Sequence, residues 1–288
     1  MASRIISQQK GISVGGTNLD RVISVSCDAD ISAAGTDVRI FGKLARLGVN
    51  YSSDIPCTVS VGWLLWDGTN ETTCGMGGTH MASNFITDPV ASEKTVIVAT
   101  GAEGEDLAGA AVSTNGLTFN NCAISNYSAT FAVGELPSAE CEFVGSSVLA
   151  GGSADVTAPT ALDGVFALKP QDVVLTIAAG LEIDMFSDSA TMCAQSVSVD
   201  LPLARENVEC LGSAVPLKYV QFPITATMTV SANTQDYSAT LDLTTIADGT
   251  RQPFVGDVSV ACASGTGGSI GFSLKGSLCS FSELKHRS

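Results

Sequence analysis

An all-β chain, arranged as two tandem β-sandwich domains with little helix, is the fold this sequence predicts. Three observations carry the prediction. Apolar and polar residues alternate strictly in several runs, Gly- and Pro-bearing connections separate those runs, and one arrangement of them occurs twice. Successive side chains of a strand point to opposite faces, so strict alternation means one core face and one wet face.

The clearest pair lies between Cys193 and Asn233. Val197, Val199, Leu201 and Leu203 alternate with Ser196, Ser198 and Asp200, and Ile224, Ala226, Met228 and Val230 alternate with Thr225, Thr227, Thr229 and Ser231. The connection from Ala204 to Gln221 is too long for a tight turn and too mixed for a helix. The design occurs again near the N-terminus. Ser24-Val25-Ser26-Cys27-Asp28 mirrors Ser196-Val197-Ser198-Val199-Asp200, Ile40-Phe41-Gly42 mirrors Cys210-Leu211-Gly212, and Ile55-Pro56-Cys57-Thr58 mirrors Phe222-Pro223-Ile224-Thr225. The offsets are 196 − 24 = 172, 210 − 40 = 170 and 222 − 55 = 167, so small gaps align the copies. Three motifs in one order point to an internal duplication.

This succession resembles the tail tube proteins of long-tailed (siphovirus-type) bacteriophages: an alternating strand, an excursion ending in an apolar residue plus Gly, then an apolar residue before Pro and a Thr-rich strand. The segment Tyr127-Ser128-Ala129-Thr130-Phe131-Ala132-Val133-Gly134-Glu135-Leu136-Pro137-Ser138 resembles a strand and turn of the same family. The resemblance covers about half the chain and rests on patterns rather than on a signature. It implies a tube-like β-sandwich, six such domains to a ring with a shared inner β-barrel, and rings stacked into a conduit for DNA. It also implies partners: further copies of the chain, and tape-measure, tail-terminator and tail-tip proteins. The implied setting is the virion tail, assembled in the host cytoplasm.

Taken in order, the chain has material for a sizeable core. It has 288 residues, 45% of them apolar and only 15% charged. Its net charge of −15 argues against gripping nucleic acid, which needs Lys and Arg to neutralise phosphates. The start, MASRIISQQKGISVGG, shows no apolar core of a signal peptide, and the longest apolar run, Val173 to Leu181, falls short of the roughly 20 residues that span a bilayer. The expectation is a protein without a membrane anchor, made in the cytosol. Asp67 to Glu93 reads as a long loop with one helical turn near His80 to Asn84. Strands are expected at Lys94 to Ala99, Leu117 to Val133 and Glu140 to Leu149, with a helix at Glu103 to Ala111, where acids suit the first turn. GGSADVTAPT, Gly151 to Thr160, is the clearest linker, giving domains 1–152 and 161–288 joined by 153–160. Further strands follow at Asp172 to Met185, Tyr237 to Thr244, Gly256 to Ala263 and Ser269 to Leu278.

Residues for chemistry are sparse. The nine cysteines are scattered singly, without CxxC, and His80 and His286 are the only histidines, so neither zinc spacing nor a general base near neutral pH stands out. Cys27 and Cys57 sit in alternating runs where a small buried hydrophobe belongs. No GxSxG, P-loop, HExxH or strand-flanked GxGxxG occurs. The reading is no enzyme and no cofactor.

Charge placement is more telling. Val22 to Ser32, Ile55 to Leu65, Ala194 to Leu203 and Phe222 to Ala232 contain no Lys or Arg. Their polar positions are Ser24, Ser26, Asp28, Asp30, Thr58 and Ser60 in one copy, and Ser196, Ser198, Asp200, Thr225, Thr227 and Thr229 in the other. A solvent face ordinarily mixes charge signs, and strand edges often use Lys. A wall that DNA must slide past has reason to exclude cations, because each fixed cation on a phosphate releases counterions and makes DNA stick. These positions are expected to line the lumen. Arg39, Lys43 and Arg46, with Arg205 and Lys218, are expected in contacts between stacked rings. Two domains per chain would give a trimeric, pseudo-hexameric ring, and one would require six chains. The rival readings are a capsid decoration or adhesin of tandem sandwiches, and a carbohydrate-binding module using Trp63 and Trp66.

Overall fold

The computed structural model describes residues 5–30, 36–38, 48–50, 55–76, 93–102, 116–150, 168–177, 192–211, 216–234, 254–263 and 268–279. Over these residues the chain is all-β. Its strands are β1 (Ile5–Val14), β2 (Thr17–Asn18), β3 (Val22–Ala29), β4 (Thr36–Val38), β5 (Gly48–Asn50), β6 (Cys57–Leu64), β7 (Lys94–Ala102), β8 (Gly116–Ala132), β9 (Ser138–Gly145) and β10 (Ser147–Ala150). There follow β11 (Val173–Ile177), β12 (Met192–Pro202), β13 (Arg205–Val208), β14 (Leu217–Val220), β15 (Thr227–Thr234), β16 (Phe254–Ala263) and β17 (Ser269–Cys279). Among the described residues every strand pair with a defined register is antiparallel.

The chain forms two compact units, both discontinuous in sequence. Residues 1–128, 138–165 and 201–225 make the first, and 129–137, 166–200 and 226–288 the second. Neither unit coincides with the halves 1–152 and 161–288, because β8 and β12 each belong partly to both units. The linker 153–160, the helix expected at 103–111 and the strand expected at 237–244 lie outside the described residues.

Unit 1 is built on a sheet with the strand order β2-β1-β7-β8-β9-β6-β3. Alternation on β6 sends Val59, Val61 and Trp63 inward to at most 1% exposure; Phe119, Ile124, Tyr127 and Phe143 are buried to the same degree, and the Trp63 and Tyr127 rings lie 6.3 Å apart. The stretch read as a loop after Asp67 begins with a short helix, α1 (Thr69–Cys74), between Gly68 and Gly75, both in the left-handed region. TNETTC is a weak helix former, so local preference does not explain this helix. Two tertiary ties do. Asn70 donates from Nδ2 to Asp20 O (2.7 Å) and accepts from Asp20 N–H (3.0 Å), while Glu71 is drawn into the core.

Unit 2 contains the three-stranded sheet β11-β16-β17 and the ladder β12–β15. Its core includes Leu168, Val197, Val199, Val258, Val260 and Cys262, with Phe131 meeting Phe272 edge to face at 6.1 Å.

The pairing registers repeat. In the first ladder Val22 faces Trp63 and Ser24 faces Gly62, leaving Ile23 as the extra residue of a bulge. In the second, Ala194 faces Ala232 and Ser196 faces Ser231, leaving Gln195 as the extra residue. The bulges are 195 − 23 = 172 residues apart, the offset of the sequence motif itself. The connection in each copy, read from sequence as irregular, holds a two-stranded ribbon: β4–β5 in the first and β13–β14 in the second. Their first strands start 205 − 36 = 169 residues apart, and their second strands 217 − 48 = 169. A shared bulge is a specific feature, and matching ribbons add an independent one.

Candidate functional site

The two ladders present the polar faces that the alternation predicts, but with unequal exposure. On β3 and just beyond it, Ser24, Ser26, Asp28 and Asp30 are exposed; on β6, Thr58 and Ser60 are half-buried. In the second ladder Ser198, Thr225, Thr227 and Thr229 are exposed, while Ser196 and Asp200 are half-buried. The carboxylate-bearing residue of each ladder faces a threonine across the strands: Asp28 faces Thr58, and Asp200 faces Thr227. Sequence matching put Thr225, two residues earlier, at the position of Thr58. The structural offset is 227 − 58 = 169 rather than 167. A two-residue slip keeps every side chain on its face, so the polar surface survives the correction.

The apolar sides of the two ladders differ. Val197, Val199 and Leu201 on β12 are at most 5% exposed, whereas on β3 Ile23 is 60% exposed and Cys27 is also open to solvent. Among the described residues β3 pairs with β6 alone. Cys27, expected to be buried, is exposed, as is Cys210, because alternation fixes which residues share a face and not whether that face is covered. Cys57, Cys74, Cys122, Cys141 and Cys262 are buried free thiols.

Two of the basic residues expected in contacts between rings are turned into unit 1. Lys218 is 2% exposed and donates from Nζ to Ser146 Oγ at 2.8 Å. Arg205, half-buried, donates from Nε to Ile124 O at 2.6 Å. A lysine so enclosed has no surface to offer another ring. The reason is local: β13–β14 folds as a ribbon with Asn207 facing Lys218, and alternation sends Lys218 inward with Val220. Burial draws the Arg205 guanidinium down to about 10, opposed by Glu93, and burial raises the Glu93 carboxyl against the pull of Lys218 and Arg205. Arg39, Lys43 and Arg46 lie outside the described residues.

Two buried polar groupings were not visible in sequence. Glu71 Oε1 accepts from Trp63 Nε1 (2.9 Å) and from Tyr127 O–H (3.1 Å), and burial raises its pKa. Trp63 is therefore a core residue, and Trp66 lies beneath Arg21 with the guanidinium 5.1 Å from its ring centre, so these rings do not form an open aromatic platform. In the second grouping the sulfurs of Cys57 and Cys122 occupy the space over Gly145, where a Cβ would stand 2.6 and 2.9 Å from them. The hydrogen bond with Cys122 holds the Cys57 thiol down to about 7, with burial opposing and the Lys218 charge assisting. Neither grouping opens to solvent: Cys57 is 3% exposed and Glu71 6%.

Among the described residues no group of three His, Cys, Asp or Glu is placed to hold a metal, and no helix is long and apolar enough to cross a membrane. Among the described residues the chain presents to solvent two polar ladder faces whose strands carry no Lys or Arg. No protein-family model matches the chain, and no curated protein matches it in sequence.

Proposed function

We propose that this chain is a structural virion protein that polymerises into stacked rings forming a phage tail tube, a conduit for genome DNA. The observation that carries the reading is the repeated ladder: two alternating strand pairs with one bulge in common, each with a hydroxyl and carboxylate face that lacks Lys and Arg. Such a face repels phosphates weakly and holds water, so a polyanion slides past without adhering. Two tube repeats per chain imply three chains to a pseudo-sixfold ring, and head-to-tail stacking is open-ended. Tape-measure, terminator and tail-tip proteins are the partners this role entails, and the protein functions in the virion tail.

Negative-stain electron microscopy of the purified chain across concentrations, with and without tail-tip components, tests this. Rings or tubes with a central hole of DNA width are the expected result. Discrete monomers under every condition would overturn it and favour a capsid decoration or adhesin.

A further inference from the structure

Two sulfurs overhang Gly145 from opposite sides. Cys57 on β6 is its register partner, and β8 runs along its other flank, where Ser146 N–H donates to Asn120 O at 3.3 Å. The strands follow one another as β8-β9-β6, so Cys122 and Cys57 stand on either side of β9. Neighbouring strands lie about 4.8 Å apart, which separates the two main chains by about 9.6 Å. That exceeds the roughly 7 Å between Cα atoms that a disulfide can bridge. The sulfurs nonetheless converge. A Cβ on Gly145 would be 2.6 Å from one and 2.9 Å from the other, so they are at most 2.6 + 2.9 = 5.5 Å apart. They share a hydrogen bond, and each also lies within reach of a carbonyl, Cys57 Sγ of Ser147 O (3.8 Å) and Cys122 Sγ of Asn120 O (3.9 Å).

Two thiols meeting across a glycine suit an ion that takes two ligands in line. Two metal–sulfur bonds of about 2.3 Å laid end to end span about 4.6 Å, inside that limit. Thiolates select soft ions, Cu(I) among them. Among the described residues no third His, Cys, Asp or Glu is placed to join the pair, so it does not serve zinc, which takes four ligands. Charge fits as well. A monovalent ion between two thiolates leaves one net negative charge, and the Lys218 ammonium, 2% exposed and held on Ser146 Oγ at 2.8 Å, offsets it. Against the hydrogen bond and burial that keep Cys122 a thiol, Lys218 favours its thiolate, as it does that of Cys57. The other hydrogen-bonded pair, Cys74 with Cys141, has the opposite setting. There burial, Cys74 and then the Glu71 and Glu142 carboxyls all hold Cys141 as a thiol.

We infer that Cys57 and Cys122 form a two-coordinate site for a soft monovalent cation, Cu(I) or its analogue Ag(I). Binding is ligand exchange without a change of oxidation state: both S–H bonds break, two metal–sulfur bonds form, and two protons leave to solvent. Gly145 leaves the ion its space, and Lys218 balances its charge. Cys57 is the first residue of β6 and Gly145 the last of β9, so the site lies at the end of a ladder, where strands open most readily to admit an ion. The site is independent of the tube reading and stands or falls separately.

Anaerobic titration of the reduced full chain with Cu(I), buffered by bathocuproine disulfonate, tests it. Cys27→Ser with Cys210→Ser provides a background without the exposed thiols. The background chain is expected to retain one equivalent of Cu(I) more than the same chain carrying Cys57→Ala with Cys122→Ala. Cys122→Ser by itself keeps the volume and is expected to lose that equivalent too, so a folding defect in one variant does not decide the matter. X-ray absorption at the copper edge should show two sulfur neighbours for that equivalent. Lys218→Met should hold the ion about tenfold more weakly, since one nearby charge is lost. Cu(I) should raise the unfolding midpoint of the background chain and leave that of the Cys57→Ala, Cys122→Ala chain unmoved. Equal retention by both chains, a shell of three or more sulfurs for that equivalent, or a 57–122 disulfide formed in air and found by mass spectrometry would each overturn the site.

Discussion

Ile23 and Gln195 are the extra residues of two β-bulges set 172 positions apart, each preceding a serine of the polar face, Ser24 and Ser196. Their surroundings differ. Gln195 lies on a strand flanked by partners on both sides and accepts from Val133 N–H, whereas Ile23 is 60% exposed on a strand that, among the described residues, pairs with β6 alone. Deleting Gln195 is expected to cost about 1–3 kcal/mol in denaturant unfolding, from one lost hydrogen bond and a straightened strand. Deleting Ile23 is expected to leave the monomer within about 1 kcal/mol of wild type, because an exposed bulge residue gives up little packing. Equal destabilisation of the monomer by both deletions would contradict this.

Glu71 gives a pH signature. Its folded-state pKa is raised above the ordinary 4.5 by burial, so the folded chain binds its proton more tightly than the unfolded chain. Stability is therefore highest below pH 4.5 as far as this group is concerned, and falls as pH rises from there to the folded pKa. Glu71→Gln keeps an acceptor for Trp63 and Tyr127 and is expected to flatten that slope. Glu71→Ala strands two buried donors and should cost about 2–4 kcal/mol. Unfolding curves at a series of pH values distinguish the two, and an unchanged slope in Glu71→Gln would refute the assignment.

Gly145 is required by its neighbours rather than by its backbone. Gly145→Ala puts a methyl against the Cys57 and Cys122 sulfurs and should destabilise by about 1–3 kcal/mol. Adding Cys57→Ala and Cys122→Ala to Gly145→Ala should recover much of the loss, measured as non-additivity in a mutant cycle. Simple additivity would show that the sulfurs are not the obstacle.

Lys218 fills volume as well as carrying charge. Lys218→Ala is expected to cost about 2–4 kcal/mol, while Lys218→Met, which keeps the stem, should cost less than half as much. Loss of the ammonium should also raise the Cys57 thiol above about 7, since Lys218 helps to lower it. Titration of the Cys57 thiol by NMR in Lys218→Met reads that shift directly.

For the polar faces, Ser198→Lys with Thr229→Lys tests the sliding argument. Both positions are exposed and face each other across β12 and β15. Assembled wild type should retain no duplex DNA at low salt. The variant should retain it with an affinity that falls steeply as salt rises, because each phosphate contact releases counterions. Salt-independent retention, or none, would remove the lumen assignment.

Alternation alone reveals β6, β7, β8, β12, β15, β16 and β17, because a strand half in the core repeats its polarity every second residue regardless of what it packs against. It also reveals which side of β12 is buried and where Lys and Arg are missing. It does not reveal α1, whose six residues are held by Asn70 on Asp20 and Glu71 on Trp63, contacts that span 50 and 8 residues. Nor does it show the enclosure of Lys218 against Ser146, 72 residues away, where a lysine in a connecting segment ordinarily signals surface.

The sequence by itself determined the all-β class and the alternation of polar and apolar positions along the strands, because both depend on local order along the chain. Tertiary structure decided the shared bulge, the two-residue slip in the second ladder, the matching ribbons and the exposure of Cys27 on β3. Pairing register and strand neighbours are set by contacts between residues far apart in sequence, and alternation is unchanged by any even shift between them.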